Sequence, residues 1–485
     1  AVDIDMYTEC FILFDECEKL VQDVHYRDSI REPMNDFFHF QHKALISATP
    51  IVPEKDNRFD SFMRVLIQPD YEYRQKLKLI TTNNVLETLQ EVIEAKRGTV
   101  CIFCNSIDSI DSFYRLIPEL NNACTFCSED GQYKLWKGNR RKKSMMITEL
   151  ERYNFFTSRF YSAVDIICKN PPHVILISDL HGATQSVIDP TTEAIQIIGR
   201  FRGGVNTVTH IASIRPDLEC MSANEIDSWI QGASHIFNGW KIQLAQTSNI
   251  GERTLLQEAI GENSYLPYLD ANGKPDPFLI ANLYEKEQVK RLYTSTDLLC
   301  SAYQQTDYFI FSHEERLMPV SDNERMAIQH RLAKKKRAEL IVRKLEEMEK
   351  MSRTTDKKVQ KRYQRMLGNL LTTTNDRYIY DCFCRFGGDF IRESDYNENK
   401  LRAALNVSSE HTIKQSVQMR SSIQRTFPIG SELSVQEVKS MLKQVYKKMG
   451  LNTGRGITTK ELEQYAEIEK GWKHDNRTIK ILKFK

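Results

Sequence analysis

Two adjacent carboxylates follow a short apolar run near residue 10. The run Phe11-Ile-Leu-Phe is typical of a buried strand, and Asp15 and Glu16 come directly after it. A parallel sheet that presents an Asp and a Glu at the carboxyl end of a strand is a common way to build a phosphate and magnesium site. Asp15 would hold Mg²⁺ through water, because this ion keeps most of its hydration shell. Glu16 would orient or deprotonate the water that attacks a γ-phosphate.

Small hydroxyl residues end a second short apolar run. The run begins at Lys43 and continues into Ser47-Ala48-Thr49, after which two prolines forbid a continuing helix. The stretch Asp15-Glu16-Cys17-Glu18, together with Ser47-Ala48-Thr49, resembles motifs II and III of the superfamily 2 helicases and translocases. In that family the second of these motifs couples the ATP site to nucleic-acid contact. The resemblance therefore implies a coupling role for Ser47 and Thr49.

A third segment, 155–166, resembles motif V of the same family. It contains Thr157, Ser158 and Asp165, and Ala163 stands where that motif often has glycine. The resemblance implies that Thr157 and Ser158 hold phosphates of a nucleic acid and that Asp165 lies at the nucleotide.

A fourth segment, 191–204, resembles motif VI and contains Gln196, Gly199, Arg200 and Arg202. One arginine would reach across an interdomain cleft and neutralise charge on the transferring phosphoryl group, which suits its rigid, permanently charged fork. Arg202 lies one residue closer to Gln196 than the usual family spacing, so either arginine is a candidate. Arg202 is slightly preferred, with Arg200 bracing the motif. The alternative is a helix end with surface arginines and a glycine cap.

The four matches occur in the family's order and cover about residues 1–215. They imply ATP and Mg²⁺ bound between two RecA-like domains. The residues implied at the nucleotide or metal are Asp15, Glu16, Asp165 and Gly199, and those implied in catalysis are Glu16, Gln196, Arg200 and Arg202. A phosphate-binding loop of the form G-x-x-x-x-G-K-[ST] should precede the first strand, yet no match occurs in the 485 residues. We expect either that the numbered chain lacks its natural N-terminal part or that the protein does without this loop.

The sequence predicts an α/β protein of four parts. Residues 1–68 would be the C-terminal part of a first, incomplete RecA-like domain, and residues 69–215 a second RecA-like domain in which strands alternate with helices. Residues 216–425 are predicted to be mostly helical and basic. Residues 426–485 contain two capping boxes and a final alternating strand, a pattern that resembles a winged-helix module.

A dense basic run lies in the predicted helical region. The segment between Arg331 and Leu370 contains fourteen Lys and Arg residues and five Asp and Glu residues. One interpretation is a phosphate-backbone contact, with Lys334, Lys335, Lys336 and Arg337 as candidates. The alternative, given equal weight, is a solvated helix that packs through one apolar stripe. The aromatic residues between 377 and 396 are expected in a core rather than in base stacking.

Composition limits the class of protein. The hydrophobic share of 41% and the net charge of +2 are typical of a soluble globular chain, and they exclude a global polyanion-binding surface. Eleven cysteines and the lack of a long apolar run favour a reducing, cytoplasmic location without a membrane. The pairs Cys101/Cys104 and Cys124/Cys127 have zinc-like spacing, but residues three apart on a strand point to opposite faces, so we expect two neighbouring core strands instead.

The sequence therefore predicts an ATP-dependent nucleic-acid helicase or translocase, with DNA preferred over RNA because of the winged-helix-like tail. A phage or mobile-element origin fits the compact motifs, and replication, virion or defence proteins are possible partners. Two alternatives stay open: a binding or scaffold protein that keeps a degenerate helicase fold, and a motor subunit of a nuclease or packaging machine.

Overall fold

The computed structural model describes residues 4–25, 27–136, 142–147, 149–162, 164–270, 272–318, 320–326, 333–352, 365–366, 376–451, 456–473 and 476–485. The chain forms two compact units, Ala1–Glu324 and Arg325–Lys485. The predicted helical region 216–425 is thus divided between the units. The other predicted boundaries remain predictions.

Unit 1 begins with a two-stranded parallel sheet and three short helices. The first strand ends at the carboxylate pair, as predicted, but the prediction of a buried strand is wrong, because Phe11 and Leu13 lie exposed on one face of the two-stranded sheet. The elements are α1 (Ile4–Glu9), β1 (Phe11–Asp15), α2 (Lys19–Gln22), α3 (Pro33–Phe37) and β2 (His42–Ile46). The polar sequence from Glu18 to about Phe40 predicts a helical stretch, and this prediction is wrong in part, since a 3₁₀ turn separates α2 from α3. Pro33 begins α3 because it cannot donate a backbone hydrogen bond to a preceding helical turn.

The centre of unit 1 is a parallel sheet of eight strands within the described residues. In spatial order the strands are β10 (Phe309–Arg316), β3 (Gln75–Thr82), β9 (Thr207–Ala212), β8 (His173–Ser178), β4 (Val100–Cys104), β7 (Tyr153–Phe156), β5 (Cys124–Phe126) and β6 (Lys142–Ser144). The expectation of a parallel α/β sheet is confirmed. The sequence from about Pro69 to Arg97 predicts a linker followed by a helix, but its first part contains β3, and the region predicted as helical contains β10. These two strands pair with each other, so partners more than 200 residues apart decide their conformation.

Helices cover both faces of this sheet, as parallel strands require. On one face, α4 and α5 pack on Ile102 and Phe155; on the other, α7, α10 and α11 pack on Phe103 and Phe156. The helices of unit 1 after β3 are α4 (Val85–Glu94), α5 (Ile107–Leu116), α6 (Glu129–Trp136), α7 (Glu193–Gly199), α8 (Ala223–Gln246), α9 (Ile250–Gly261), α10 (Pro277–Leu292), α11 (Thr296–Gln304) and α12 (Asp322–Met326), the last of which ends just beyond the boundary of the unit.

The helix α10 also packs on the first 68 residues. Its Phe278 and Leu279 join a core that contains Leu20 and Phe37, and Asn282 donates a hydrogen bond of 2.8 Å to the backbone oxygen of Val21. The helical segment after β9 therefore fixes the β1–β2 region against the large sheet.

Unit 2 combines a helical core with a small α/β module. Its helices are α13 (Lys334–Ser352), α14 (Arg377–Glu393), α15 (Glu398–Lys414), α16 (Val417–Thr426) and α17 (Val435–Lys448). Three strands, β11 (Glu432–Ser434), β12 (Ala466–Lys473) and β13 (Asn476–Phe484), form an antiparallel sheet in the order β11-β13-β12. Both predicted capping boxes are present, at Ser434 and Thr458. The second begins a 3₁₀ turn, Thr459–Gln464, and not the expected α-helix.

The cysteine pairs lie on core strands. Cys101 and Cys124 face one side of the sheet, and Cys104 and Cys127 face the other. The opposite orientation is confirmed, although β7 separates the two strands, which were expected to be neighbours. Over the described ranges, no group of three or more potential ligands is arranged to hold a metal ion. In the same ranges, no helix has both the length and the apolar character needed to cross a membrane.

Candidate functional site at the junction of β1 and α7

The carboxylate pair lies at a sharp turn where β1 ends. Glu16 has a backbone φ of 53°, in the left-handed region that non-glycine residues seldom adopt. Its backbone N–H donates a hydrogen bond of 2.9 Å to Oδ1 of Asp15. Such a conformation costs free energy and persists only where surrounding contacts hold it, so it is often found at functional sites. The turn separates the exposed Asp15 from the buried Glu18 that begins the next helix.

The Gln196 side chain connects α7 to both segments that follow the short strands. Its amide nitrogen lies 2.8 Å from Oε1 of Glu18 and 2.8 Å from Oγ1 of Thr49, and it can donate to both. Its amide oxygen accepts from Nζ of Lys19 at 3.0 Å. All four side chains are buried. The side-chain amide of Gln196 therefore contacts residues almost 180 positions away in the sequence. The predicted catalytic Gln196 and the predicted coupling residue Thr49 lie together.

The two candidate arginines lie in different environments. Nη1 of Arg200 is 3.6 Å from Oε1 of Glu16, and its guanidinium is largely buried. Arg202 is 67% exposed and pairs at 2.9 Å with the predicted nucleotide residue Asp165. Arg200, and not the slightly preferred Arg202, thus faces the carboxylates in this structure. Gly199 ends α7, and a methyl group at its Cα would meet no atom within 4 Å, so packing does not explain the glycine.

Ser47 contacts both the turn after β2 and Glu18. Its Oγ accepts a hydrogen bond of 2.9 Å from the backbone N–H of Thr49. This contact shapes the turn after β2 and holds Thr49 where its hydroxyl meets Gln196. A side-chain hydrogen bond between Ser47 and Glu18 lowers the pKa of that carboxyl, against the larger effect of burial. Ser47 therefore adjoins the Gln196 cluster through Thr49 and Glu18.

Buried acids surround the junction. Burial raises the pKa of Glu193, at the start of α7, to about 8 and that of Glu285 to about 7. Burial also raises the pKa of Glu18, and this effect exceeds the lowering caused by its hydrogen bond with Ser47. The Gln22 amide nitrogen lies between these elements, 2.9 Å from Oε1 of Glu285 and 3.1 Å from Oγ1 of Thr192. The junction is therefore a low-dielectric, polar region in which added charge acts strongly.

A cavity of about 850 Å³ adjoins the junction at the carboxyl ends of β4, β5 and β7. Thr157 and Ser158 line it, as do Lys19, Arg27 and Arg159. This edge of a parallel sheet is where ligands of α/β proteins bind. Thr157 is buried and hydrogen-bonds toward Phe126, whereas Ser158 is exposed. The structure thus places the predicted phosphate-contact residues in a cleft that shares Lys19 with the Gln196 cluster; Ala163, beside them in sequence, lies outside the described residues.

A buried hydrogen-bond chain supports the loop before α7. Tyr293 donates from Oη to the backbone oxygen of Ile188 at 2.6 Å and accepts from the Ile188 N–H at 3.1 Å. Its remaining acceptor position is 2.9 Å from Oγ of Ser178, which lies 3.0 Å from Nε2 of His210. Nδ1 of His210 is 2.7 Å from the hydroxyl of Tyr303. One consistent direction satisfies every group: Tyr303 donates to a neutral His210, His210 to Ser178, and Ser178 to Tyr293.

This hydrogen-bond chain ends at Ile188, and the next residue, Asp189, positions the start of α7. The carboxylate of Asp189 accepts from the backbone N–H of Thr191 at 2.9 Å and from the Thr192 hydroxyl at 2.6 Å, immediately before α7 begins. Lys19, Gln22 and Tyr293 were missed by the sequence prediction. A lysine just after the carboxylate motif is a usable signal for Lys19, but no sequence signal connects Tyr293 to a loop 105 residues away.

The basic candidates in unit 2 make ion pairs within that unit. Arg337 is 2.7 Å from the buried carboxylate of Asp376, and Lys335 is 2.6 Å from Asp395. Lys334 is 3.5 Å from Glu398, and Lys336 is exposed. The predicted apolar stripe of Ile341, Leu345 and Met348 is buried, and the aromatic residues of α14 pack on the core of unit 2. Arg331 and the basic residues 353–362 lie outside the described residues.

The junction fits part of what ATP and Mg²⁺ need. One or two carboxylates near a substrate phosphate suffice for Mg²⁺, and Asp15 and Glu16 supply them. The largely buried Arg200 supplies a fixed positive charge in the same region. The glycine-rich loop that usually surrounds the β- and γ-phosphates has no counterpart in the sequence.

Comparison of the sequence with protein-family models and with curated proteins gave no match.

Proposed function

We propose that this chain is the core of an ATP-dependent nucleic-acid helicase or translocase of the superfamily 2 type, with ATP hydrolysed at the junction of β1 and α7. The observation that carries the proposal is the convergence at Gln196. Three segments matched to separate motifs, at Glu18, Thr49 and Gln196, meet through hydrogen bonds of 2.8 Å. Motif matches that arose by chance would not be expected to meet in one buried cluster.

The residues divide the work according to their positions. Asp15 is exposed and free to hold Mg²⁺ through water, and Glu16 is placed to orient the attacking water. Arg200 is the charge-neutralising arginine, because it lies on the Glu16 side of α7 whereas Arg202 points to Asp165. ATP supplies the phosphoryl group that these side chains act on. Gln196 transmits changes at Glu18 to Thr49, since one amide binds both.

The cavity lined by Thr157 and Ser158 supports a nucleic-acid role for the same unit. Lys19 lines this cavity and also donates to Gln196, so it connects the proposed phosphate-binding cleft to the Gln196 cluster. A translocase needs such a connection between nucleic-acid contact and the ATP site. The module at residues 417–485 is proposed to be winged-helix-like, because a helix, a strand, a second helix and a 3₁₀ turn precede a two-stranded hairpin. DNA is the proposed substrate, and replication, virion or defence proteins are the proposed partners.

A specific observation favours a second candidate function. The sequence contains no G-x-x-x-x-G-K-[ST] loop, so the described residues of the junction offer carboxylates and an arginine without this motif around the phosphates. A binding or scaffold protein that keeps the fold without hydrolysis would have this composition. A motor subunit of a nuclease or packaging machine would instead hydrolyse ATP without unwinding.

The test is ATP turnover with and without a single-stranded oligonucleotide, on wild type and three variants. Glu16→Gln and Arg200→Ala should each lower stimulated turnover by about a thousand-fold, in the range seen when phosphoryl-transfer groups are removed. Arg202→Ala is the matched control, because its guanidinium is exposed, and it should keep most of the turnover. Full activity in Glu16→Gln, or an equal loss in Arg202→Ala, would contradict the assignment. Oligonucleotide binding with no wild-type turnover would favour the scaffold.

A further inference from the structure

The hairpin of β12 and β13 ends in an exposed aromatic residue. Trp472 on β12 pairs directly with Arg477 on β13, and the indole is 69% exposed. Two positions further along β13, Ile479 is buried in the core of the module. Alternate residues of a strand share a face, so Trp472 and Arg477 continue the core-facing side of the sheet beyond the end of the core. The indole is therefore left uncovered by its own module.

Trp472 and Arg477 form a stacked pair. The guanidinium carbon of Arg477 is 5.1 Å from the centroid of the indole, within the range of a cation–π contact. The contact restrains the ring and holds a positive charge beside it. A flat apolar surface with an adjacent cation matches one nucleotide of a single strand, whose base stacks on an aromatic ring and whose phosphate pairs with a cation.

The charge of the module fits the same ligand. Residues 417–485 contain fourteen Lys and Arg residues and seven Asp and Glu residues, while the whole chain has a net charge of only +2. The lysines nearest the stacked pair in sequence are neutralised, Lys470 by Glu463 at 2.6 Å and Lys473 by Glu432 at 3.6 Å. Arg477, in contrast, meets no carboxylate among the described residues, and its guanidinium lies beside the exposed indole.

We propose that the Trp472–Arg477 pair is a contact site for single-stranded nucleic acid, with a base stacked on the indole and a phosphate bound by the guanidinium. The site is independent of ATP hydrolysis and therefore does not depend on the function proposed for unit 1. A protein partner is the alternative ligand for an exposed tryptophan, but the excess of positive charge in the module and the guanidinium of Arg477 beside the indole favour a nucleic acid.

The experiment measures binding of a fluorescein-labelled 20-nucleotide oligo-dT to the full chain by anisotropy, without ATP and at three salt concentrations. Trp472→Ala should weaken binding by roughly ten-fold or more, because one stacked base contributes about that much, and Trp472→Phe should keep most of the affinity. Arg477→Ala should reduce the salt dependence by the equivalent of about one phosphate contact, roughly 0.7 in the logarithmic slope.

The matched control is Tyr71→Ala, which removes an aromatic residue of unit 1 with the same 69% exposure. It should leave the affinity unchanged. Unchanged affinity in Trp472→Ala, or an equal loss in Tyr71→Ala, would overturn the proposal, and the first result is also what a protein-binding tryptophan predicts. Thermal unfolding that matches wild type would confirm that Trp472→Ala and Trp472→Phe are folded, as expected for substitutions of an exposed side chain.

Discussion

Removing the Tyr293 hydroxyl should destabilise unit 1. The variant Tyr293→Phe keeps the ring but leaves the backbone N–H and C=O of Ile188 without their only described partner, and it also removes the acceptor of Ser178. Each buried polar group left unsatisfied costs about 1–3 kcal/mol, so we expect a loss of about 2–5 kcal/mol in the free energy of unfolding. For a unit of this size, 1 kcal/mol corresponds to about 2 °C in Tm, which gives a decrease of about 4–10 °C.

The matched control is Tyr161→Phe. Tyr161 is equally buried in the same core, but its hydroxyl has no hydrogen-bond partner among the described residues, so its removal should be neutral or slightly stabilising. Thermal and urea unfolding followed by circular dichroism would measure both variants. Equal losses in the two, or a loss below about 0.5 kcal/mol in Tyr293→Phe, would refute the hydrogen-bond chain. Because Ile188 precedes the residues that begin α7, Tyr293→Phe should also lower any ATP turnover.

Two further predictions concern buried charge. Burial raises the pKa of Glu193 to about 8, so the folded protein holds a proton that the unfolded chain releases near pH 4.5. The contribution of this protonated group to stability is complete below pH 4.5 and is lost as the pH rises through 8. Because a glutamine side chain does not ionise, Glu193→Gln should raise the free energy of unfolding at pH 8.5 by about 1 kcal/mol or more, as measured by urea unfolding. Separately, Arg337→Ala should destabilise unit 2 by roughly 2–3 kcal/mol in a thermal melt, because it leaves the buried Asp376 unpaired.

Each of these predictions has an internal control. Glu193→Gln should differ little from wild type at pH 4.5, where the wild-type side chain is protonated. A pH-independent effect would show that the substitution acts through packing.

Lys336→Ala removes an exposed cation from the same helix as Arg337 and should leave the melt of unit 2 unchanged. A loss equal to that of Arg337→Ala would mean that helix propensity, and not the ion pair, is responsible.

The local pattern of the sequence predicted the elements whose conformation depends on neighbours in the chain. The run before Asp15 is a strand, the apolar positions at helical spacing in α4 are buried, and the helix that the pattern predicts from Ile107 to Leu116 is α5, because apolar periodicity and caps act within a few residues. The same reasoning failed for β3 and β10. Each of these strands is stabilised by a partner more than 200 residues away, which no local pattern records.

The candidate site divides in the same way. The sequence alone identified the types of residue, a carboxylate pair, a glutamine and two arginines, because their chemistry is carried by their side chains. Tertiary structure decided which of them meet: it placed Arg200 beside Glu16, sent Arg202 to Asp165, and made Gln196 the common partner of Glu18 and Thr49. Hydrogen bonds and ion pairs act over about 3–4 Å, so only the folding that brings distant segments together could determine these partners.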